Sequence, residues 1–352
     1  MKKIVFIVPS LGVGGAELVS LNICRFLNNK EFDYLFVSLN SCENSVNDIR
    51  ARDWGIKVIY LNKNSGFDFM SIKKLRKIVK EYNPVIIHTH MGALIYGFLL
   101  NFRKVKHVHT IHCIPQNKRY YGYPLWLVRF VFKKKNIIPV CISEKQREET
   151  IKLFKLKNKE IPLIYNGIDT SLFKPKVLRE KYIINVGSFT KIKNQKALIK
   201  GFYESLKESP SLSLVLIGDG PLRKDCEKLT EELGIAKKVI FTGVVSNVQD
   251  YLSSALLYVC TSITEANPLS FLEAMAAGLP IISTNVGGVS DIVSKNNGIL
   301  LDSDLPESIK NSILFLLRNE EVYRIMSNNC IKQSANFDIK QCSHKYELIY
   351  SQ

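Results

Sequence analysis

Short runs of β-branched, aromatic and aliphatic residues, apolar along nearly their whole length, alternate with helix-patterned stretches from one end of this chain to the other. In the first half the runs are 4–8 (IVFIV), 34–39 (YLFVSL), 57–61 (KVIYL), 84–88 (PVIIH), 105–111 (VKHVHTI) and 137–142 (IIPVCI), with helical patterns between them such as 71–81 and 143–155. The second half repeats the rhythm at 181–187 (KYIINVG), 212–217 (LSLVLI), 238–241 (KVIF), 256–260 (LLYVC) and 280–283 (PIIS), with helices near 194–208, 221–233 and 268–277. A strand that is apolar on both faces must be covered on both. The expectation is therefore an α/β chain of doubly wound parallel sheets.

At about 150 residues per domain, 352 residues suggest two domains. The polar stretch 166–180, with Gly167 and Pro175, is the expected boundary. This gives a first domain over 1–172, a second over 173–335 and a terminal helix within 336–352. In such sheets ligands bind at the carboxyl ends of the strands, so a cleft between two domains is the place to look for a site.

The net charge of +17 is uneven. Residues 1–175 hold 29 basic and 13 acidic side chains, whereas 176–352 hold 20 and 19. The first half is thus suited to something negative: nucleic acid, an anionic membrane surface or a phosphorylated substrate. No helix-turn-helix, RNA-recognition or zinc-finger signature accompanies the charge, so a nucleic-acid partner is not expected. The eight cysteines (24, 42, 113, 141, 226, 260, 330, 342) form no CxxC, and several sit inside apolar runs, as reduced buried thiols of a cytoplasmic protein would. The start, MKKIVFIVPSLGVGG, is too short and lacks the cleavage pattern of a signal peptide; it reads as a first strand. No stretch reaches about 18 uninterrupted apolar residues, the minimum for a membrane span.

The strongest chemical signal is 261–278, TSITEANPLSFLEAMAAG. Pro268 suits a helix start, Leu269–Ala277 are strong helix formers, and Gly278 is a stop. Peptide N–H groups between Ala266 and Leu269 would face outward from the helix N-terminus, a site for a diphosphate. Glu265 and Glu273, seven residues between them, would repel that diphosphate but accept charge-assisted hydrogen bonds from neutral hydroxyls. A nucleoside diphosphate sugar has hydroxyls at both ends and a diphosphate between. A second glycine-rich turn, Leu11-Gly12-Val13-Gly14-Gly15-Ala16-Glu17, also follows a strand. Its sixth fingerprint position is Glu17, and the next strand ends in Ser38-Leu39-Asn40 without an acidic residue, so a dinucleotide cofactor is not expected.

The 261–278 segment resembles the E-x7-E motif of the retaining glycosyltransferases of the GT-B fold, family 4. Further stretches agree in order and spacing: Gly14-Gly15-x-Glu17, His88-Thr89-His90, His112, Ile142-Ser143-Glu144 and Tyr165-Asn166-Gly167-Ile168-Asp169. They continue through Val186-Gly187, Lys193-Asn194, Ile217-Gly218-Asp219-Gly220-Pro221, Phe241-x-Gly243 and Gly287-Gly288. The resemblance implies two Rossmann-like domains, the first for the acceptor and the second for the nucleotide sugar, with the last helix (about 338–350) returning to the first. It implies donor-sugar hydroxyls on Glu265, ribose on Glu273, the leaving diphosphate neutralised by Lys193, and His112 facing the donor sugar. Binding of the nucleotide sugar is implied for Gly14, Gly15, Gly187, Ser188, Gly243, Ala266, Asn267, Pro268 and Leu269 as well. The family usually has Arg where this chain has Ser188, so neutralisation would rest on Lys193 and the helix N-terminus, with Lys191 as a substitute.

A retaining, metal-independent transfer without a further cofactor is the implied reaction, the leaving phosphate assisting deprotonation of the acceptor. The implied acceptor is a glycan or lipid diphosphate, and the setting bacterial surface-polysaccharide assembly in the cytoplasm. Asp302-Ser303-Asp304 reads as turn and helix-capping chemistry rather than a metal site. His88, His90, His107, His109 and His112 lie close enough in sequence to raise a zinc site, but no carboxylate or thiolate pattern accompanies them. The stretch 118–135, aromatic and aliphatic with a basic end, reads as a helix lying on an anionic membrane surface. A nucleotide-sugar 2-epimerase of the same fold and a donor-binding inactive subunit are the alternative readings.

Overall fold

The run IVFIV at residues 4–8 is completely buried, the burial that a strand flanked by neighbours on both sides and helices on both faces must have. It forms most of β1 (Lys2–Val8) in a computed structural model that describes residues 1–100, 105–113, 119–156, 160–176 and 179–352. The chain divides into two units, Met1–Gly167 with Ile339–Gln352, and Ile168–Asp338. The sequence reading put these divisions at 172/173 and 335/336. Residues 177–178 of the expected linker lie outside the described residues.

In the first unit, β1 is followed by β2 (Phe32–Ser38), β3 (Val58–Tyr60), β4 (Ile86–His90), β5 (Lys106–Ile111), a short antiparallel hairpin β6–β7 (Arg119–Tyr120, Tyr123–Pro124) and β8 (Ile137–Cys141). The parallel sheet runs β3-β2-β1-β4-β5-β8. Its helices are α1 (Gly15–Arg25), α2 (Val46–Asp53), α3 (Phe69–Tyr82), α4 (Leu94–Leu99), α5 (Leu125–Phe132) and α6 (Glu144–Phe154). One core joins β1, β2 and β4 to α3 through Val5, Val37, Ile87, Leu75 and Val79; another joins β5 and β8 to α5 and α6 through Ile111, Ile137, Val128 and Phe154.

The second unit contains β9 (Tyr182–Val186), β10 (Ser213–Ile217), β11 (Val239–Gly243), β12 (Leu257–Cys260), β13 (Ile281–Thr284) and β14 (Gly298–Leu301). These pair in parallel in the order β11-β10-β9-β12-β13-β14. Around them lie α7 (Gln195–Leu206), α8 (Arg223–Glu232), α9 (Val248–Ser254), α10 (Leu269–Ala276), α11 (Pro306–Arg318) and α12 (Glu320–Ser334). The last helix, α13 (Ile339–Ser351), belongs to the first unit and packs on α1, with Ser343 Oγ donating to the Ile23 carbonyl at 2.9 Å.

Counted within its unit, each sheet has the strand order 3-2-1-4-5-6. The order reverses between β1 and β4 in one and between β9 and β12 in the other, and such switch points are where doubly wound sheets bind ligands. Two expectations are corrected. Residues 118–135 are not one interfacial helix: a hairpin precedes the eight-residue α5, because Tyr121 and Gly122 take positive φ and turn the chain back. Lys118 and the Arg119 side chain lie outside the described residues. Nor does the Asp302–Asp304 stretch cap the helix that follows. Leu305 occupies the N-cap with Pro306 beside it, and Asp304 accepts a hydrogen bond from Asn194 instead, at 3.0 Å.

Candidate active site

In the second unit the switch point brings together the loops after β9 and β12. The first carries Gly187, Ser188 and Lys193; the second carries Glu265 to Pro268 and leads into α10. Lys193 Nζ lies 2.6 Å from Glu265 Oε1, and Ser262 Oγ donates to the same oxygen at 2.7 Å. Oε1 is therefore committed inside the protein, whereas no described residue bonds Oε2. Glu265 is buried and Lys193 mostly so, with 8% and 26% of their side chains exposed. Burial pulls the Lys193 ammonium down, but the charge and hydrogen bond of Glu265 outweigh it, and its pKa ends above the ordinary lysine value.

Backbone contacts hold this arrangement. The Ile263 N–H donates to the Ile192 carbonyl at 2.7 Å and Thr261 Oγ1 to the Asn194 carbonyl at 2.8 Å, so the two loops are stitched on either side of the ion pair. From β13 and the turn beyond it, Thr284 Oγ1 donates to the Ser262 carbonyl at 2.6 Å and the Gly288 N–H to that of Glu265 at 2.9 Å. At 287 a Cβ would overlap the Glu265 carbonyl oxygen, and φ is +56°, which explains the first glycine of Gly287-Gly288. Gly218 answers a similar need: a Cβ there would overlap the Gly187 carbonyl oxygen.

Helix α10 begins at Leu269 with Pro268 as its N-cap and no capping side chain. Its first N–H groups have no carbonyl four residues earlier to bond, and the helix dipole adds positive potential there. The buried Tyr258 hydroxyl lies 2.8 Å from Ser270 Oγ and 3.2 Å from the Val186 carbonyl, tying the start of α10 to the end of β9. Asn267, Pro268 and Leu269 are buried; Ala266 and Glu273 are half-buried, Glu273 just past the first turn. Ser188 is exposed, as is Lys191, whereas Lys193 runs its stem over Gly187, where a Cβ would touch it at 3.6 Å. Gly243 ends the edge strand β11, and its carbonyl accepts from the Gly218 N–H at 2.9 Å.

In the first unit, the turn after β1 is held from α2. Asn47 Nδ2 donates to the Gly12 carbonyl at 2.6 Å and the Gly14 carbonyl at 3.3 Å, and Ser45 Oγ donates to the Leu11 carbonyl. With its carbonyls engaged, the turn keeps its N–H groups for other partners. Gly14 is the N-cap of α1 and Gly15 its first residue, and a Cβ at 14 would overlap the Glu17 carboxylate. Burial raises the Glu17 pKa, partly offset by a bond from its own backbone N–H.

His112 lies just past the carboxyl end of β5, half-buried, with Nε2 2.9 Å from His90 Nδ1 at the end of β4. Burial pushes it down to about 3. His88, His107 and His109 are tied to hydroxyls rather than grouped around a metal position. His88 meets Tyr350 and Thr110 at 2.6 and 2.8 Å; His107 and His109 share Thr89, and His109 also meets Tyr120. Among the described residues no three His, Cys, Asp or Glu side chains are placed to hold a metal ion.

Sequence reasoning singled out Lys193 and Glu265 but not their pairing. It missed Ser45 and Asn47, small polar residues whose roles depend on contacts distant in sequence, and Ser262, whose partner Glu265 is near. Only the spacing of Ser262 three residues before Glu265 carried a local signal.

The family model described as Glycosyltransferase Family 4 matches residues 13–172, and that described as Glycosyl transferases group 1 matches residues 168–333. An uncharacterized glycosyltransferase of Haemophilus influenzae is 29% identical over 99% of this chain and 100% of its own length. The UDP-Gal:alpha-D-GlcNAc-diphosphoundecaprenol alpha-1,3-galactosyltransferase of Escherichia coli is 24% identical over 96% of this chain and 94% of its own. Among solved structures, Anabaena HepE in complex with UDP-glucose superposes with a TM-score of 0.87 at 19% identity, covering all of both chains. Two parallel sheets of the same strand order, and family matches that together span residues 13–333, make this chain a member of the GT-B glycosyltransferases of family 4 (glycosyl transferases group 1).

Proposed function

We propose that the chain transfers a sugar, with retention of anomeric configuration and without a metal ion, from a UDP-linked donor to a lipid-diphosphate-linked or polysaccharide acceptor in bacterial surface-glycan assembly. The observation that carries this reading is the Lys193–Glu265 pair at the switch point beside the N-terminus of α10. Glu265 Oε2 accepts from hydroxyls of the donor sugar. Lys193 and the N–H groups around Asn267 and Leu269, with Ala266, Pro268, Gly187, Ser188 and Gly243 lining the site, receive the diphosphate. Glu273 takes the ribose hydroxyls. As the bond to the anomeric carbon breaks, charge grows on the leaving phosphate oxygen, and this fixed ammonium and helix terminus stabilise it without reorganising. An acceptor hydroxyl attacks on the face the phosphate leaves, which receives its proton. The family resemblance assigns His112 to the donor sugar and Gly14 and Gly15 to phosphate and acceptor.

The Escherichia coli relative, named for transfer from UDP-galactose to a diphosphoundecaprenol-linked sugar, supports the choice of donor and acceptor class. The surface of the first unit supports a lipid setting at the inner face of the cell membrane. Trp126 and Phe130 of α5 are 71% and 49% exposed, Lys134 Nζ sits 4.2 Å from the Phe130 ring centroid, and Phe69 and Met70 of α3 are exposed as well. No helix among the described residues is long and apolar enough to cross a membrane.

The test is a thermal-shift screen of UDP, UDP-glucose, UDP-galactose and UDP-N-acetylglucosamine, followed by NMR of the product formed on a diphosphoundecaprenol-linked sugar. The reading expects a rise in melting temperature with UDP and an α-linked product from an α-linked donor. A product with inverted configuration overturns retention, epimer formation from donor alone supports the epimerase reading, and binding without turnover supports an inactive donor-binding subunit. Flotation with vesicles containing anionic lipid tests the surface; a chain that stays in the dense fraction at low salt does not dock through α3 and α5.

A further inference from the structure

The bond between His90 and His112 has an asymmetry that His88 and His109 lack. Both ring nitrogens of His88 are partnered, by Tyr350 and Thr110, and both of His109, by Thr89 and Tyr120. His90 bonds His112 through Nδ1 at 2.9 Å, while its Nε2 is buried with no partner among the described residues. Its ring is closed in by Phe6 and by His88, whose centroid lies 4.2 Å away. Burial, with the neighbouring histidines, holds His90 far below the ordinary histidine range, and burial does the same for His112, so both rings are neutral and one proton lies between them.

Two arrangements satisfy that count. If His112 donated, His90 would carry its own proton on Nε2, as a buried N–H with no acceptor. If His90 donates from Nδ1, its Nε2 is left as a bare lone pair. Orphaned buried N–H groups are rarer than under-used acceptors, so the second arrangement is the stable one. It leaves His112 with Nε2 as acceptor and its proton on Nδ1, the nitrogen to which no described residue bonds.

We propose that His90 is a positioning residue: by donating to His112 Nε2 it fixes the His112 proton on Nδ1, so that His112 offers the site an N–H donor for a hydroxyl or phosphate oxygen rather than a lone pair. The tautomer of one imidazole is set by the bond its other nitrogen makes, here from a second imidazole behind it. The sequence element is the second histidine of His88-Thr89-His90. The consequence for transfer rests on the function proposed above; the tautomer does not.

The experiment is long-range proton–nitrogen NMR of the full chain, labelled with nitrogen-15 at histidine and ligand-free at pH 7, with His112 assigned by loss of its peaks in His112→Gln. The expected result is a neutral His112 protonated on Nδ1, preserved in His90→Asn, whose amide can donate from the position of Nδ1, and lost in His90→Leu. Protonation of His112 on Nε2 in the unsubstituted chain overturns the proposal even if His90→Leu fails to fold, and an unchanged tautomer in His90→Leu overturns it too. With UDP-glucose as the probe, UDP release should fall about tenfold in kcat in His90→Leu, the loss of one hydrogen bond, with KM within about twofold and recovery in His90→Asn. Undiminished kcat in His90→Leu counts against the proposal. Failure of the unsubstituted chain to bind or turn over any UDP-sugar sinks the transferase reading and leaves the NMR result standing.

Discussion

Replacing Glu265 with Gln keeps the shape of the switch-point loop and an acceptor for Ser262 but removes the charge facing Lys193. Breaking a buried ion pair by removing one partner costs about 3–5 kcal/mol. Lys193 retains some contact with water, at 26% exposure, so the low end or slightly less, about 2–3 kcal/mol, applies here. For a unit of this size about 1 kcal/mol moves the melting temperature by roughly 2–4 °C, which predicts a fall of about 4–12 °C at pH 7. The pH dependence gives the cause. In the unsubstituted chain the folded-state pKa of Lys193 lies above 10.5, so the contribution of the pair is complete below that pH and is lost only as pH rises through the higher folded value. In Glu265→Gln burial, the largest influence on Lys193, loses its main opponent; the folded pKa drops below 10.5, and the variant is penalised until the lysine deprotonates. Differential scanning calorimetry of both proteins from pH 7 to 10.5 should therefore show the gap narrowing as pH rises. A gap that is absent at pH 7, or that stays constant to pH 10.5, would refute the reasoning.

Gly287→Ala forces a Cβ into the Glu265 carbonyl at a positive φ; the left-handed conformation alone costs about 1–2 kcal/mol, so melting should fall by at least roughly 2–4 °C, and UDP-glucose should stabilise the variant less than the parent. Asn47→Ala removes the donor to the Gly12 and Gly14 carbonyls; a loss of about 1–2 kcal/mol in urea unfolding and faster hydrogen exchange at Gly14 and Gly15 are expected, and unchanged exchange would show the turn does not depend on α2. Trp126→Ser with Phe130→Ser should lower vesicle flotation without changing the melting temperature by more than about 2 °C, since both side chains face solvent.

The layered fold was legible because both-face burial writes itself into a strand as an unbroken apolar run. Eleven such runs mark eleven of the twelve strands of the two sheets. The exception, β14 (Gly298–Leu301), is four residues long, opens on glycine and lies at a sheet edge where one side needs no neighbour. The hairpin before α5 was hidden for a different reason: Tyr121 takes φ of +46°, a conformation its side chain does not advertise. At the site, Glu265 and Glu273 drew attention because charged residues in an otherwise apolar segment need a reason to be there, and Lys193 through the family resemblance alone. The partners that fix them were not legible. Ser262 carries no more than its spacing to Glu265, and Asn47 becomes informative only once α2 folds over the turn after β1. The role of His90 turns on a lone buried nitrogen, which no spacing reveals.

The most direct test of the site is the affinity for UDP of the unsubstituted chain, Lys193→Ala and Glu273→Gln, measured by isothermal titration calorimetry at one salt concentration. Each substitution removes a charge-assisted contact worth about 1.5–3 kcal/mol, so each should weaken binding by about tenfold or more. Equal affinity in all three proteins would contradict the placement of the nucleotide beside α10.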